Sequence, residues 1–157
     1  MKTKDHAGVW FPPPLLFLIP LLSALAAGSR RDWPIVREPA SVLPVAGLLA
    51  IAIGISLGLS SALSFRVAGS TILPAGRPTT AIVARGPYRF TRNPMYLAMG
   101  LAYLGVAALF NSRLALILLP AVVAVVDRFV IRREERYLEA KFGESYARYR
   151  STVRRWL

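Results

Sequence analysis

The chain has 157 residues, a formal net charge of +12 and 55% hydrophobic residues. A soluble domain of this size rarely combines those properties, and the charges here are confined to loops and a tail, away from long uncharged stretches. That pattern fits basic ends at a membrane surface better than nucleic-acid binding, the usual meaning of such basicity. With no cysteine and a single histidine, His6 in a polar N-terminal tail, the composition excludes disulfides, thiolate sites, thiol nucleophiles and a zinc or di-iron centre.

Four apolar stretches follow in chain order, and the length leads us to expect one domain. Residues 9–28 are nearly free of charge and long enough to cross a hydrocarbon core of about 30 Å. Their Pro12-Pro13-Pro14 triplet suits a helix entry. A lysine-containing head before an apolar run also describes a signal peptide, but a retained helix is expected, because no small-residue cleavage site precedes a soluble chain. Residues 41–65 carry no charge and are rich in glycine and serine, which lets helix backbones approach closely in lipid. The stretch Thr79-Thr80-Ala81-Ile82-Val83-Ala84 reads as a short extended segment. Residues 95–110 and 114–126 are apolar runs separated by Asn111-Ser112-Arg113, which predicts a tight helical hairpin turning at Asn111-Ser112. Pro120 should kink the second arm, which continues through Asp127 and Arg128 into a basic tail. The expected fold is all-α: a polytopic bundle of about four transmembrane helices with a C-terminal hairpin and a cytosolic tail helix. It divides into two N-terminal helices (1–68) and a core (69–157).

The basic residues set an orientation. Sixteen of the twenty Lys and Arg fall in the N-terminal tail, between Arg66 and Arg92, or from Arg128 onward; only Arg30, Arg31, Arg37 and Arg113 fall on the other side. The positive-inside rule therefore places both termini and the Arg66–Arg92 loop in the cytosol, as in a bacterial inner-membrane protein.

Two polar clusters bracket the hairpin. The first is Gly86-Pro87-Tyr88-Arg89-Phe90-Thr91-Arg92-Asn93-Pro94-Met95-Tyr96. The second is Arg132-Arg133-Glu134-Glu135-Arg136-Tyr137-Leu138, followed by Phe142-Gly143-Glu144-Ser145-Tyr146. A hairpin brings both to one membrane surface, as one site built from residues about forty apart in sequence. This order resembles the integral-membrane methyltransferases that include isoprenylcysteine carboxyl methyltransferase and the phospholipid N-methyltransferases, over roughly residues 69–157.

The resemblance implies S-adenosylmethionine as cofactor and a lipophilic acceptor, of carboxylate or phospholipid/amine type, arriving from the bilayer. Such a cofactor needs a carboxylate, a cationic or amide partner for its own carboxylate, and flat apolar surfaces for adenine. Glu134 and Glu135 point about 100° apart on a helix and so take different duties; the family's Glu-Glu pair implies that one meets the ribose hydroxyls or the methionyl amine. Arg92 and Arg132 are candidates for the methionyl carboxylate, which a guanidinium holds through two parallel bonds. Gly86-Pro87 permits close backbone approach, and Tyr88, Tyr96 and Tyr137 offer rings and hydroxyls. Asn93 and Pro94 complete the cofactor loop, and Glu134, Glu135 and Arg92 are the expected catalytic residues.

Asn93 departs from the histidine found there in many relatives: it donates and accepts hydrogen bonds but takes up no proton. The plainer reading of the second cluster, a solvated helix face, is weakened because its i,i+4 pairs Arg132–Arg136 and Glu135–Glu139 are like-charged. Arg85, Arg89, Arg154 and Arg155 are expected to anchor on anionic lipid. Trp10 and Trp156, and with them Trp33, are expected in the interfacial belt. The rival to an enzyme is a non-catalytic assembly or scaffold protein that keeps the same fold.

Overall fold

The computed structural model describes residues 12–28, 34–36, 42–69 and 81–157, which form helices and turns and no strand. Helix α1 (Pro13–Gly28) begins at the proline triplet, where the Leu15 amide donates to the Pro12 carbonyl at 3.0 Å. It continues through Pro20. Helix α2 (Val42–Val67) is followed by a 3₁₀ turn at Gly86–Arg89. Helices α3 (Pro94–Leu109) and α4 (Arg113–Val126) make the hairpin, with Ser112 capping α4 by accepting from the Ala115 amide. A π-helical turn (Asp127–Ile131) joins α4 to α5 (Arg132–Phe142), and α6 (Glu144–Thr152) closes the fold.

Two of these elements are long and apolar enough to cross a bilayer: α2, with 26 residues, and the continuous helix Arg113–Phe142, with 30. Helices α1 and α3, of 16 residues each, extend only about 24 Å. Of the stretch expected to be extended, the described part, Ala81–Ala84, is irregular, with Val83 buried. His6, Trp10, Trp33 and Thr79-Thr80 lie outside the described residues.

Small residues set the packing. Helix α2 lies along α3 so closely that a Cβ added at Gly105 would sit 2.5 Å from the Gly47 carbonyl oxygen and 2.7 Å from Ile51 Cγ1. At Gly54 an added Cβ would meet the Ala98 carbonyl at 2.8 Å. The opposite face of α2 exposes Leu48, Leu49, Ile53, Ile55, Leu59 and Leu63, an arrangement stable when the surroundings are lipid. Helix α1 packs across α3 and α4, contributing Phe17, Leu21 and Ala24 to a core shared with Tyr103, Ala107, Ala115, Val122 and Val126.

At the hairpin turn Asn111 adopts a left-handed conformation (φ 49°), which asparagine tolerates better than most residues. Its side chain accepts from the Ile35 and Val36 amides at 2.9 and 3.1 Å and donates to the Val36 carbonyl at 2.8 Å, so the turn holds the described part of the α1–α2 connection.

Gly105→Ala should destabilise the protein by about 1–3 kcal/mol through forced separation of α2 and α3. Gly100, where an added Cβ meets nothing within 4 Å, should tolerate alanine without loss. Thermal unfolding of the two variants in detergent tests the contrast.

Candidate active site

The first cluster is built on backbone geometry. Gly86 has φ +58°, and a Cβ there would lie 2.5 Å from Ser64 Oγ, so glycine alone lets this turn seat against the end of α2. Tyr88 then packs edge-on against Phe65, ring centroids 5.3 Å apart, and its carbonyl accepts from the Tyr149 hydroxyl at 2.8 Å. Burial raises the Tyr88 phenol above its ordinary range, with Tyr149 and Glu134 adding to the effect, so it stays neutral at physiological pH.

Three residues of the loop before α3 are stitched to the C-terminal tail. The Thr91 hydroxyl and Asn93 Nδ2 both donate to the Arg155 carbonyl, each at 3.0 Å. Between them the Arg92 amide donates to the Arg154 carbonyl at 2.9 Å. Pro94 then starts α3, which brings the Tyr96 hydroxyl to Glu134 Oε1 at 2.8 Å.

The two glutamates have different surroundings. Glu135 is 8% exposed and its carboxylate is fully engaged: Arg155 Nη2 lies 2.6 Å from Oε2 and Arg155 Nε 3.1 Å from Oε1. Arg92 Nη1 approaches Oε1 at 3.3 Å. That last contact is an ion pair without hydrogen-bond alignment; Arg92 Nε and Nη1 are buried with no acceptor, on a side chain 10% exposed. Glu134 has Tyr96 as its hydrogen-bond partner and pairs with no cation among the described residues. It lies in the polar helix α5, past the apolar stretch that ends at Ile131. Burial pushes its carboxyl up to about 7, against the pull of the Tyr96 hydrogen bond and with a further push from Glu135. Glu135 is thus the ion-paired carboxylate, and Glu134 the one that burial raises.

Of the residues expected at the site, Gly86, Pro87, Tyr88, Arg92, Asn93, Pro94, Tyr96, Glu134 and Glu135 fall at this end of the hairpin. Arg132 joins only through Asp127, whose Oδ2 takes its Nε at 2.9 Å, and its side chain is half exposed. Tyr137 lies at the periphery, where Lys141 donates to its hydroxyl at 3.0 Å. Arg155, expected on lipid, instead places its guanidinium between Glu135 and Asp127, because two carboxylates converge there. Trp156, expected in the interfacial belt, packs partly buried against the helical core. Asp127, Arg155 and Tyr149 were not legible as site residues, and Thr91 stood in the first cluster with no role of its own. The one signal was Asp127, an acidic residue ending an apolar run.

The described residues thus form an all-helical fold with two helices long and apolar enough to cross a bilayer and a polar cluster at one end of the hairpin. The sequence matches the phospholipid methyltransferase family over residues 42–145, and the chain belongs to that family. The match starts within α2, well ahead of the polar motifs. An uncharacterized protein of Haemophilus influenzae is 43% identical over 63 residues, 40% of this chain and all of that protein. The cobalt-zinc-cadmium resistance protein CzcN of Cupriavidus metallidurans is 30% identical over 93% of this chain. The nickel-cobalt-cadmium resistance protein NccN of Alcaligenes xylosoxydans xylosoxydans is 27% identical over the same share. The chain spans 62% of the length of each of these two resistance proteins. No solved structure matches.

Removing both side-chain donors to the Arg155 carbonyl, in Thr91→Val with Asn93→Ala, should loosen the tail by about 1–2 kcal/mol. Hydrogen–deuterium exchange at the Arg92 amide should then run roughly tenfold faster, and an unchanged rate would show that the tail is held elsewhere.

Proposed function

We propose that this chain is an S-adenosylmethionine-dependent methyltransferase of the membrane that acts on a lipophilic acceptor, of carboxylate or phospholipid/amine type. The observation that carries the reading is Arg92, whose guanidinium has two buried nitrogens lacking acceptors. Three guanidinium groups (Arg92, Arg132, Arg155) against two carboxylates (Asp127, Glu135) leave one positive charge in the chain of ion pairs, and its unsatisfied end is Arg92. Leaving such donors buried costs free energy until an anion completes them.

The residues fit S-adenosylmethionine, which brings a carboxylate together with sulfonium and ammonium charges. When bound, it supplies an electrophilic methyl group for in-line displacement, chemistry that asks the protein for position and exclusion of water. Arg92 would meet the methionyl carboxylate through its buried donors that lack acceptors. Glu134 would face the ammonium or the ribose hydroxyls, held in place by Tyr96. Tyr88 and Tyr96 would offer ring surface to adenine, with Gly86-Pro87 giving backbone access and Asn93-Pro94 fixing the loop. Glu135 would act through Arg92, and Arg132 and Tyr137 would lie at the rim.

The basic residues support a topology of four spans, with both termini and the site in the cytosol of a bacterial cell and the acceptor entering sideways from the bilayer. Residues 1–68, with the two N-terminal helices, and the core 69–157 would then form one domain, α1 packing on α3 and α4 and α2 on α3. The names of the two metal-resistance relatives favour a second reading, a non-catalytic membrane component of a metal-resistance system that keeps the fold without methyl transfer.

Calorimetric titration of detergent-purified protein with S-adenosylhomocysteine and S-adenosylmethionine separates the two. Saturable binding, weakened about 100-fold or more in Arg92→Ala, supports the enzyme; no binding by folded protein selects the second reading.

The pH dependence has a definite sign. Because the Glu134 carboxyl is raised to about 7, it is neutral below that pH and ionised above it. Affinity for the cationic cofactor should therefore climb as pH rises through about 7, with proton release on binding near neutrality. Glu134→Gln should flatten that profile.

A further inference from the structure

Arg155 is used twice. Its carbonyl accepts from Thr91 Oγ1 and Asn93 Nδ2, while its guanidinium grips Glu135 with two nitrogens and reaches Asp127 Oδ1 at 3.4 Å. One residue thus fixes both the loop that carries Arg92 and the carboxylate that faces Arg92. The hydrogen bond to Glu135 is the leading reason the Arg155 guanidinium is held charged even more firmly than usual.

The convergence of Asp127 and Glu135 on one guanidinium needs the π-helical turn. In an uninterrupted α-helix, residues eight apart stand about 80° away from alignment. A π turn takes up one extra residue, so this pair has the phase of residues seven apart, within about 20° of a shared face. Two contacts agree with that phase. The Arg132 amide donates to the Asp127 carbonyl, five residues back, and the Arg132 side chain reaches Asp127 at 2.9 Å. In a plain α-helix residues five apart diverge by about 140°.

From this geometry we infer that Arg155 is a positioning residue for the cofactor site: bridging Asp127 and Glu135 across the π turn, it holds Glu135 against Arg92 and so aims the Arg92 guanidinium. Glu135, saturated by Arg155, acts on the bound molecule through Arg92, and Glu134 remains the carboxylate free to meet it. The inference rests on the methyltransferase reading and assigns to the tail a role that goes beyond lipid anchoring.

The test uses the full chain in detergent, titrated with S-adenosylhomocysteine. Arg155→Ala keeps the backbone carbonyl that Thr91 and Asn93 use and removes only the bridge. Its Kd should rise by about tenfold or more at unchanged stoichiometry. Asp127→Asn should show a smaller rise in the same direction. Arg155→Lys should fall between wild type and Arg155→Ala, because an ammonium cannot reproduce the two-nitrogen grip. In a Glu135→Gln background the loss caused by Arg155→Ala should largely vanish, since the two side chains act as one unit.

Wild-type affinity in Arg155→Ala, or losses that add in the double variant, would overturn the inference. A reduced stoichiometry with unchanged Kd would overturn it too, since that marks partial unfolding. Should Arg155→Ala fail to fold, the Asp127→Asn and Arg155→Lys affinities decide in the same way. If the wild-type protein binds no S-adenosylhomocysteine, the functional reading falls and this inference with it. Binding by wild type with no effect of the variants removes the inference alone.

Discussion

The bidentate pair between Arg155 and Glu135 is the interaction on which the polar end of this molecule depends. The loop before α3 and the helix after α4 are brought to the same end by the hairpin, but the hairpin alone does not set their spacing. The pair does so, because the same residue's carbonyl is tied to Thr91 and Asn93. Its setting is partly shielded, with Glu135 8% exposed, so the attraction is screened less than at an open surface. Burying a carboxylate there is sustained because its oxygens meet two guanidinium groups.

The apolar end follows different rules. In lipid, exposed leucine and isoleucine on α2 carry no penalty, so burial of large side chains does not hold α2 on α3. Close backbone approach at Gly47, Gly54 and Gly105 does that, through van der Waals contact over the length of both helices. The seating of Gly86 on Ser64 links the two ends. The 3₁₀ turn touches α2 only because α2 lies close enough for Ser64 to meet a glycine. Packing within the bilayer thereby fixes where Tyr88 stands in the polar site.

Much of this was legible from the chain itself. The polar break Asn111-Ser112-Arg113 between two apolar runs identified the hairpin and its turn, because no uninterrupted helix places those residues in lipid. Spacing also told that Glu134 and Glu135 diverge, and they do: one meets Tyr96, the other Arg155. What escaped was the bridge. A tail arginine at a membrane surface has the ordinary meaning of a lipid anchor. On a regular helical wheel Asp127 and Glu135 do not share a face. The π turn that aligns them has no signature in Asp127-Arg128-Phe129-Val130-Ile131, since it arises from how that stretch satisfies its partners. Helix α1 runs through Pro20, in keeping with the single span expected over 9–28, since apolar helices in lipid tolerate proline where neighbours accommodate the break.

Asparagine at position 93 raised the question of whether a proton acceptor is missing. Its side-chain amide is spent on the Arg155 carbonyl, a task that needs a donor and no titration. A neutral amide performs it equally at every pH, whereas an imidazole's charge there would vary across the physiological range. The group whose protonation is poised near neutrality is Glu134, held by Tyr96 and raised chiefly by its own burial. The departure at position 93 therefore leaves the clamp intact, and proton chemistry at this end of the fold rests with α5. The neighbouring glutamates differ in this way because Arg155 and Arg92 pair with one of them, while the other accepts from Tyr96.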